Sequence, residues 1–204
     1  MLVRQRVSSS MVGSERGPKA LIVIDMQCGL LEGDPRPANV EEVVCAINAV
    51  AVAVRQSGGQ VFFVQHHGAP GDRFAPGSAE WQLLPQLEVE RKDLLVPKTI
   101  CDAFYKSTLD ESLKDLGIKQ LLVGGWATDF CVDTTIRAAA SLAYEVTVIK
   151  DGHTLADRPH LPADLVLTHH NQTWPQMIVP SAPIQVLSAE SICQRLREPK
   201  GGVS

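Results

Sequence analysis

The chain has 204 residues, enough to bury a sizeable core as one domain of ordinary size. Apolar residues make up 45% and charged residues 21%, the balance of a soluble globular protein. The net charge of −4 leaves no basic surplus for a nucleic-acid or membrane surface, and no apolar run approaches the ~20 residues of a membrane span.

Residues 1–18 are polar and hold Arg4 and Arg6 but no hydrophobic segment of secretory type, so they read as a disordered extension, with 199–204 as a tail. Past residue 18 strands and helices alternate. The run ALIVIDMQ (20–27) is continuously apolar, as a strand covered on both faces should be. Residues 39–59 read as a helix capped by Asn39, with Glu42 in the capping-box position, and stopped by Gly58-Gly59. QVFFVQHH (60–67) is the second strand, followed by a Gly/Pro/Ala-rich loop at 68–79 and a short segment around Trp81. DLLVPK (93–98) is the third strand, and 107–117 a capped helix closed by Gly117. KQLLVGGW (119–126) is the fourth strand, with its helix at 129–144. EVTVIKD (145–151) is the fifth strand, 163–174 a helix, 182–188 the sixth strand and 188–198 the last helix. Six apolar strands alternating with helices predict an α/β fold: one mainly parallel sheet with helices on both faces, in a single domain over 19–198.

Ligands of such sheets bind beyond the carboxyl ends of the strands. Three reactive side chains fall there: Asp25 after ALIVI, Lys98 after LLVP, and Cys131 after LLVGGWATDF. Each has a bland alternative, respectively a turn cap, a solvated lysine and a small buried hydrophobe. Their coincidence on one edge favours chemistry. Thr128 can cap the helix, placing Cys131 near free amides, the positive end of the dipole and a lysine, so a lowered thiol pKa is expected. Asp25 can take the thiol proton and return it to a leaving group. The amides of Ala127 and Cys131 are candidates for an oxyanion hole, and Gly124-Gly125 allow the sharp turn. Five cysteines, at 28, 45, 101, 131 and 193, are too scattered for a disulfide framework and point to a reducing cytoplasm. No CxxC or Cys/His cluster has zinc spacing. Cys45 and Cys193 read as inert on core helices, and Cys28 and Cys101 as packing residues close to Asp25 and Lys98.

Taken in order, ALIVIDMQ, K-x5-FYKSTLDESLKDLG, VGGWATDFCVDTTIRAA, EVTVIKDGHTL and LVLTHHNQTW resemble the isochorismatase-like cysteine hydrolases, which include the nicotinamidases. The resemblance implies a three-layer α/β/α sandwich and an Asp25–Lys98–Cys131 triad. It also implies a cis peptide at Trp126–Ala127 that turns amides toward the oxyanion, and a homo-oligomer, dimer or tetramer. Nicotinamidases hold a metal through an Asp-x-His after the second strand and a further His. Here Gln65 stands where that Asp should be, two residues before His67, and the following loop has no His, so no metal and no cofactor is expected. The closest look is to metal-free members such as the streptothricin hydrolases, on TDFCVDTTIRAA, DGHTLAD and HHNQTW.

The expected function is therefore a cytoplasmic cysteine hydrolase cleaving a C–N bond of a small amide or lactam through a thioester. A metal-dependent nicotinamidase and a non-catalytic small-molecule binder are the alternatives. Trp81, Phe104, Tyr105 and Trp126 are candidate substrate-binding residues, with core or interface packing as the alternative for each. His66 and His67 read as rim residues. Of His169, His170 and Asn171, adjacent on a helix, at most one or two can face any one site.

Overall fold

The structure is a computed structural model describing residues 17–32, 37 and 39–198. The expected extension and tail lie outside the described residues, apart from Gly17 and Pro18. The apolar runs form strands β1 (Lys19–Ile24), β2 (Gln60–His66), β3 (Leu94–Lys98), β4 (Gln120–Trp126), β5 (Glu145–Thr154) and β6 (Gln185–Leu187). They make one sheet in the order β3-β2-β1-β4-β5-β6, with every neighbouring pair parallel. The chain winds outward from β1 to β3, returns to the middle at β4, and winds outward again to β6. The order reverses between β1 and β4, where such a sheet opens a crevice at its carboxyl edge.

The helices are α1 (Cys28–Leu31), α2 (Val40–Gln56), α3 (Leu109–Asp115), α4 (Asp133–Ser141), α5 (Ala163–Thr173) and α6 (Ala189–Arg197). Alternate strand residues divide the core into two layers. Leu21, Val23, Val61, Phe63 and Ile149 pack with Val43, Ile47 and Val50 of α2 and Ile192 of α6. Ala20, Ile22, Ile24, Phe62, Val64 and Val148 pack with Leu109 and Leu113 of α3, Ile136 of α4 and Trp174. The expected α/β/α sandwich is the observed one.

Several local details differ from expectation. α1, four residues long, is too short to leave a periodic signal. Asn39 occupies the N-cap position of α2 without a capping bond, because its Oδ1 accepts instead from Thr154 Oγ1 at 2.7 Å, 115 residues away. Cys45 is exposed, one helical turn beyond exposed Glu41 and off the buried stripe of α2. The helix expected from 129 begins as a π-helical turn (Thr128–Val132) that passes into α4. β5 extends to Thr154 because a register shift between Val123 and Gly125 lets it pair again as Gly125↔His153 and Trp126↔Thr154. No helix among the described residues is long and apolar enough to cross a membrane.

Candidate active site

Asp25 is the first residue after β1, 1% exposed, in the left-handed region at φ +49, which Asp tolerates better than most side chains. Lys98 is the last residue of β3, 2% exposed, and pairs with His66 across β2. Cys131 lies in the π-helical turn after β4, partly buried. The ammonium of Lys98 joins these three strand ends. Its Nζ is 2.6 Å from Asp25 Oδ2 and 3.4 Å from Cys131 Sγ, and it donates to the Ile100 carbonyl at 3.1 Å. Three ammonium protons thus meet three acceptors. The other carboxylate oxygen of Asp25, Oδ1, is buried without a hydrogen-bond partner among the described residues.

The turn carrying Cys131 depends on close backbone approach. Gly125 has φ +128, and a Cβ there would come 2.1 Å from the Ile24 carbonyl oxygen; one on Gly124 would come 2.5 Å from that of Gly152. The next peptide bond, Trp126–Ala127, is cis. The amides of Phe130 and Val132 both donate to the Ala127 carbonyl, at 3.0 and 3.1 Å, and the Cys131 amide does not join them. The Ala127 amide makes no hydrogen bond among the described residues.

The electrostatics depart from the expected activated thiolate. Burial, then the charge of Asp25, push the Cys131 thiol well above its ordinary range, and Lys98 pulls it only partly back. Burial also raises the Asp25 carboxyl, against the opposing pull of Lys98 and of the nearby thiol. Burial alone lowers Lys98, but Asp25 and then Cys131 outweigh it and hold the ammonium above its ordinary value. Burial thus favours a protonated thiol beside the Asp25–Lys98 ion pair. The sequence displays neighbouring residue types but not the depth at which the sulfur is buried, and depth decides the sign here.

At the end of β2, Gln65 is buried and donates its amide to the Trp81 carbonyl at 3.1 Å; Gln27 donates to the same oxygen at 2.8 Å. The His67 ring meets the Trp81 indole edge-on at 5.4 Å. Burial and His66 lower the His67 pKa. The residue at the metal-ligand position thus serves as a neutral clamp on the 68–83 loop. Among the described residues no group of three His, Cys, Asp or Glu side chains could hold a metal, so the donor set does not fit a metal centre of the nicotinamidase kind.

The other candidates separate. Trp81 is partly buried beside His67, with its indole N–H lacking a partner among the described residues. Trp126 is partly buried and packs against two of the apolar clusters. Phe104 stacks on Tyr144 at 5.7 Å and packs into the second core layer. Tyr105 is exposed, with the Lys106 ammonium 5.3 Å from its ring. Cys101 is exposed but close enough to Cys131 to raise its thiol.

Sequence reasoning missed two features. Thr128 makes no capping bond; its hydroxyl lies 2.9 Å from Nδ1 of fully buried His153. Asp129 forms a two-point ion pair with Arg158 at 2.6 and 2.8 Å, whose guanidinium sits 4.7 Å from the Phe130 ring. A histidine near the end of a strand and an arginine in a loop carry no local signal that names these partners.

The family model described as the Isochorismatase domain matches residues 19–172. A streptothricin hydrolase of Streptomyces noursei is 29% identical over 72% of this chain and 58% of its own length. A ureidoacrylate amidohydrolase of Pseudomonas savastanoi pv. phaseolicola is 28% identical, over 66% of this chain and 70% of its own. The chain spans 58% and 52% of two Streptomyces noursei streptothricin hydrolases, little more than half of each. A solved structure of an isochorismatase family protein superposes with TM-score 0.76 at 30% identity, covering 83% of this chain and 98% of that one. By fold, by strand-end geometry and by these matches, the chain belongs to the isochorismatase family.

Proposed function

We propose that the protein is a cysteine amidohydrolase cleaving a C–N bond of a small amide or lactam, with Asp25, Lys98 and Cys131 as its catalytic residues. The observation that carries this reading is the buried Lys98 ammonium, 2.6 Å from the Asp25 carboxylate and 3.4 Å from the Cys131 sulfur, at the carboxyl edge beside the reversal of strand order. A streptothricin hydrolase and a ureidoacrylate amidohydrolase among the relatives support an amide-type substrate.

The sulfur of Cys131 attacks the substrate carbonyl carbon as the thiol proton passes to Asp25. Because burial raises both groups, the proton moves during attack rather than leaving a free thiolate beforehand. Lys98 stays charged and offsets the negative charge wherever it resides. The tetrahedral oxyanion accepts from the amides of Ala127 and Cys131. The C–N bond breaks, Asp25 protonates the departing nitrogen, and a thioester remains on Cys131. Water then attacks the thioester with Asp25 as base, the carboxylic acid leaves, and the proton returns to the thiol. Trp126 and Trp81 are the proposed substrate-facing aromatics. The reading includes a single hydrolase domain over 19–198 in a cytoplasmic homo-oligomer, with the free cysteines supporting a reducing compartment.

The test is acyl transfer. With p-nitrophenyl acetate the protein is expected to carry one acetyl group on Cys131, located by peptide mass spectrometry. A panel of small amides and lactams is expected to yield at least one substrate whose amine release vanishes in Cys131→Ala. Full hydrolysis by Cys131→Ala would sink the reading.

A further inference from the structure

The stretches DGHTL and HHNQTW, distant along the chain, meet beneath the cysteine turn. His153 is the penultimate residue of β5 and is 1% exposed. Its Nδ1 lies 2.9 Å from Thr128 Oγ1 and its Nε2 3.1 Å from Asn171 Oδ1 on α5. The Trp174 ring meets it edge-on at 5.3 Å, and the Trp174 indole donates to Asp133 Oδ1, in the first turn of α4, at 2.8 Å. Thr128 is the first residue of the π-helical turn; Ala127 precedes it and Cys131 lies three residues on.

The proton positions follow from donors and acceptors. Asn171 Oδ1 can only accept, so Nε2 carries the hydrogen. Nδ1 of the neutral ring is then an acceptor, and the Thr128 hydroxyl donates to it. Burial holds the ring neutral, so this assignment stands at neutral pH. Thr128 is therefore held from below by a hydrogen bond that has no local alternative: its hydroxyl caps nothing in its own turn. The ring in turn is fixed by α5 and Trp174.

We infer that His153, oriented by Asn171, is a positioning residue that fixes Thr128 and thereby the two amides, Ala127 and Cys131, that receive the oxyanion. The inference rests on the proposed acyl-transfer mechanism. It assigns to His153 an action on carbonyl chemistry alone, because alkylation of the sulfur by displacement develops no oxyanion.

The test compares two reagents on the full chain. Acetylation of Cys131 by p-nitrophenyl acetate passes through a tetrahedral oxyanion; alkylation by iodoacetamide does not. Thr128→Val removes the hydroxyl at nearly constant shape, Thr128→Ser retains it, and His153→Gln replaces the ring. Each variant is first checked for an intact cooperative melt. Thr128→Val and His153→Gln are expected to acetylate about ten- to a hundred-fold more slowly. Their alkylation rate should stay within about two-fold, and Thr128→Ser should recover most of the acetylation rate. Unchanged acetylation in folded Thr128→Val overturns the inference. So does an equal fall in both reactions, which marks a general disturbance of the sulfur. If the unsubstituted protein acetylates no residue at position 131, the proposed mechanism itself fails, and the inference with it.

Discussion

Replacing Asp25 with Asn separates two properties that are easily confused, a thiol that ionises and a thiol that catalyses. Asp25 Oδ2 lies 2.6 Å from Lys98 Nζ, which lies 3.4 Å from Cys131 Sγ, so carboxylate and sulfur are no more than about 6 Å apart. At an effective dielectric of about 20, a carboxylate and a thiolate at that outer distance repel by about 3 kcal/mol, equivalent to about two pKa units as a lower bound. Asp25→Asn removes this repulsion and leaves Lys98 facing the sulfur without an opposing charge. The thiol pKa is expected to fall by about two units, raising the thiolate fraction below that pKa about a hundred-fold. Intrinsic nucleophilicity falls with pKa at a slope of about 0.4–0.5, so iodoacetamide alkylation at neutral pH should accelerate about ten-fold. Acyl transfer should slow by about 10²–10⁴, because the proposed base and proton donor is gone. The assay is the pH dependence of Cys131 alkylation, read peptide by peptide, beside the acetylation rate. An alkylation profile that stays in place or moves to higher pH would refute the arrangement of charges described above. Faster acetylation in Asp25→Asn would show that a preformed thiolate, not proton transfer to Asp25, limits the reaction.

Two stability predictions accompany it. Arg55 holds Asp93 at two points, 2.5 and 3.1 Å, with side chains 4% and 0% exposed, and also donates to the Glu88 carbonyl at 2.6 Å, while its ion-pair contact with Glu90 at 3.5 Å is half exposed on the Glu90 side. Asp93→Ala is expected to destabilise the chain by about 3–5 kcal/mol and Glu90→Ala by less than about 1 kcal/mol, measured by urea unfolding. Similar midpoints for the two variants would refute the assignment of the buried pair. His153, lowered by burial to about 4, binds a proton in the unfolded chain near pH 6.5 but in the folded chain only near pH 4. Its contribution is complete above pH 6.5 and is lost as pH falls through that window. His170 opposes protonation of the folded ring and Asp151 favours it. Between pH 7 and pH 5 this group is expected to remove about 2 kcal/mol, a loss that His153→Gln should not show. Parallel pH dependence in the two proteins would refute it.

The central strands β1, β2 and β4 were legible because each is a continuous buried apolar run, as a parallel strand covered on both faces requires. The boundaries slipped where a distant partner intervened. Asn39 lost its capping role to Thr154, β5 gained three residues by re-pairing across a bulge, and Cys45 fell one position off the buried stripe. The three site residues were legible for a topological reason: in a parallel sheet all carboxyl ends lie on one edge, so a polar residue closing an apolar run is placed before any coordinate is known. Local pattern therefore determined the fold, the sheet edge where Asp25, Lys98 and Cys131 meet and the residues placed there.

The tertiary structure alone decided how those residues behave. The expected thiolate rested on the helix end and on Lys98; burial and Asp25, 106 positions away, reverse the sign. Thr128 reads locally as a cap, but its hydroxyl bonds to a histidine 25 residues on, itself held by an asparagine 18 further. Desolvation and long-range hydrogen bonding depend on what surrounds a group in three dimensions, and a linear pattern records only what precedes and follows it.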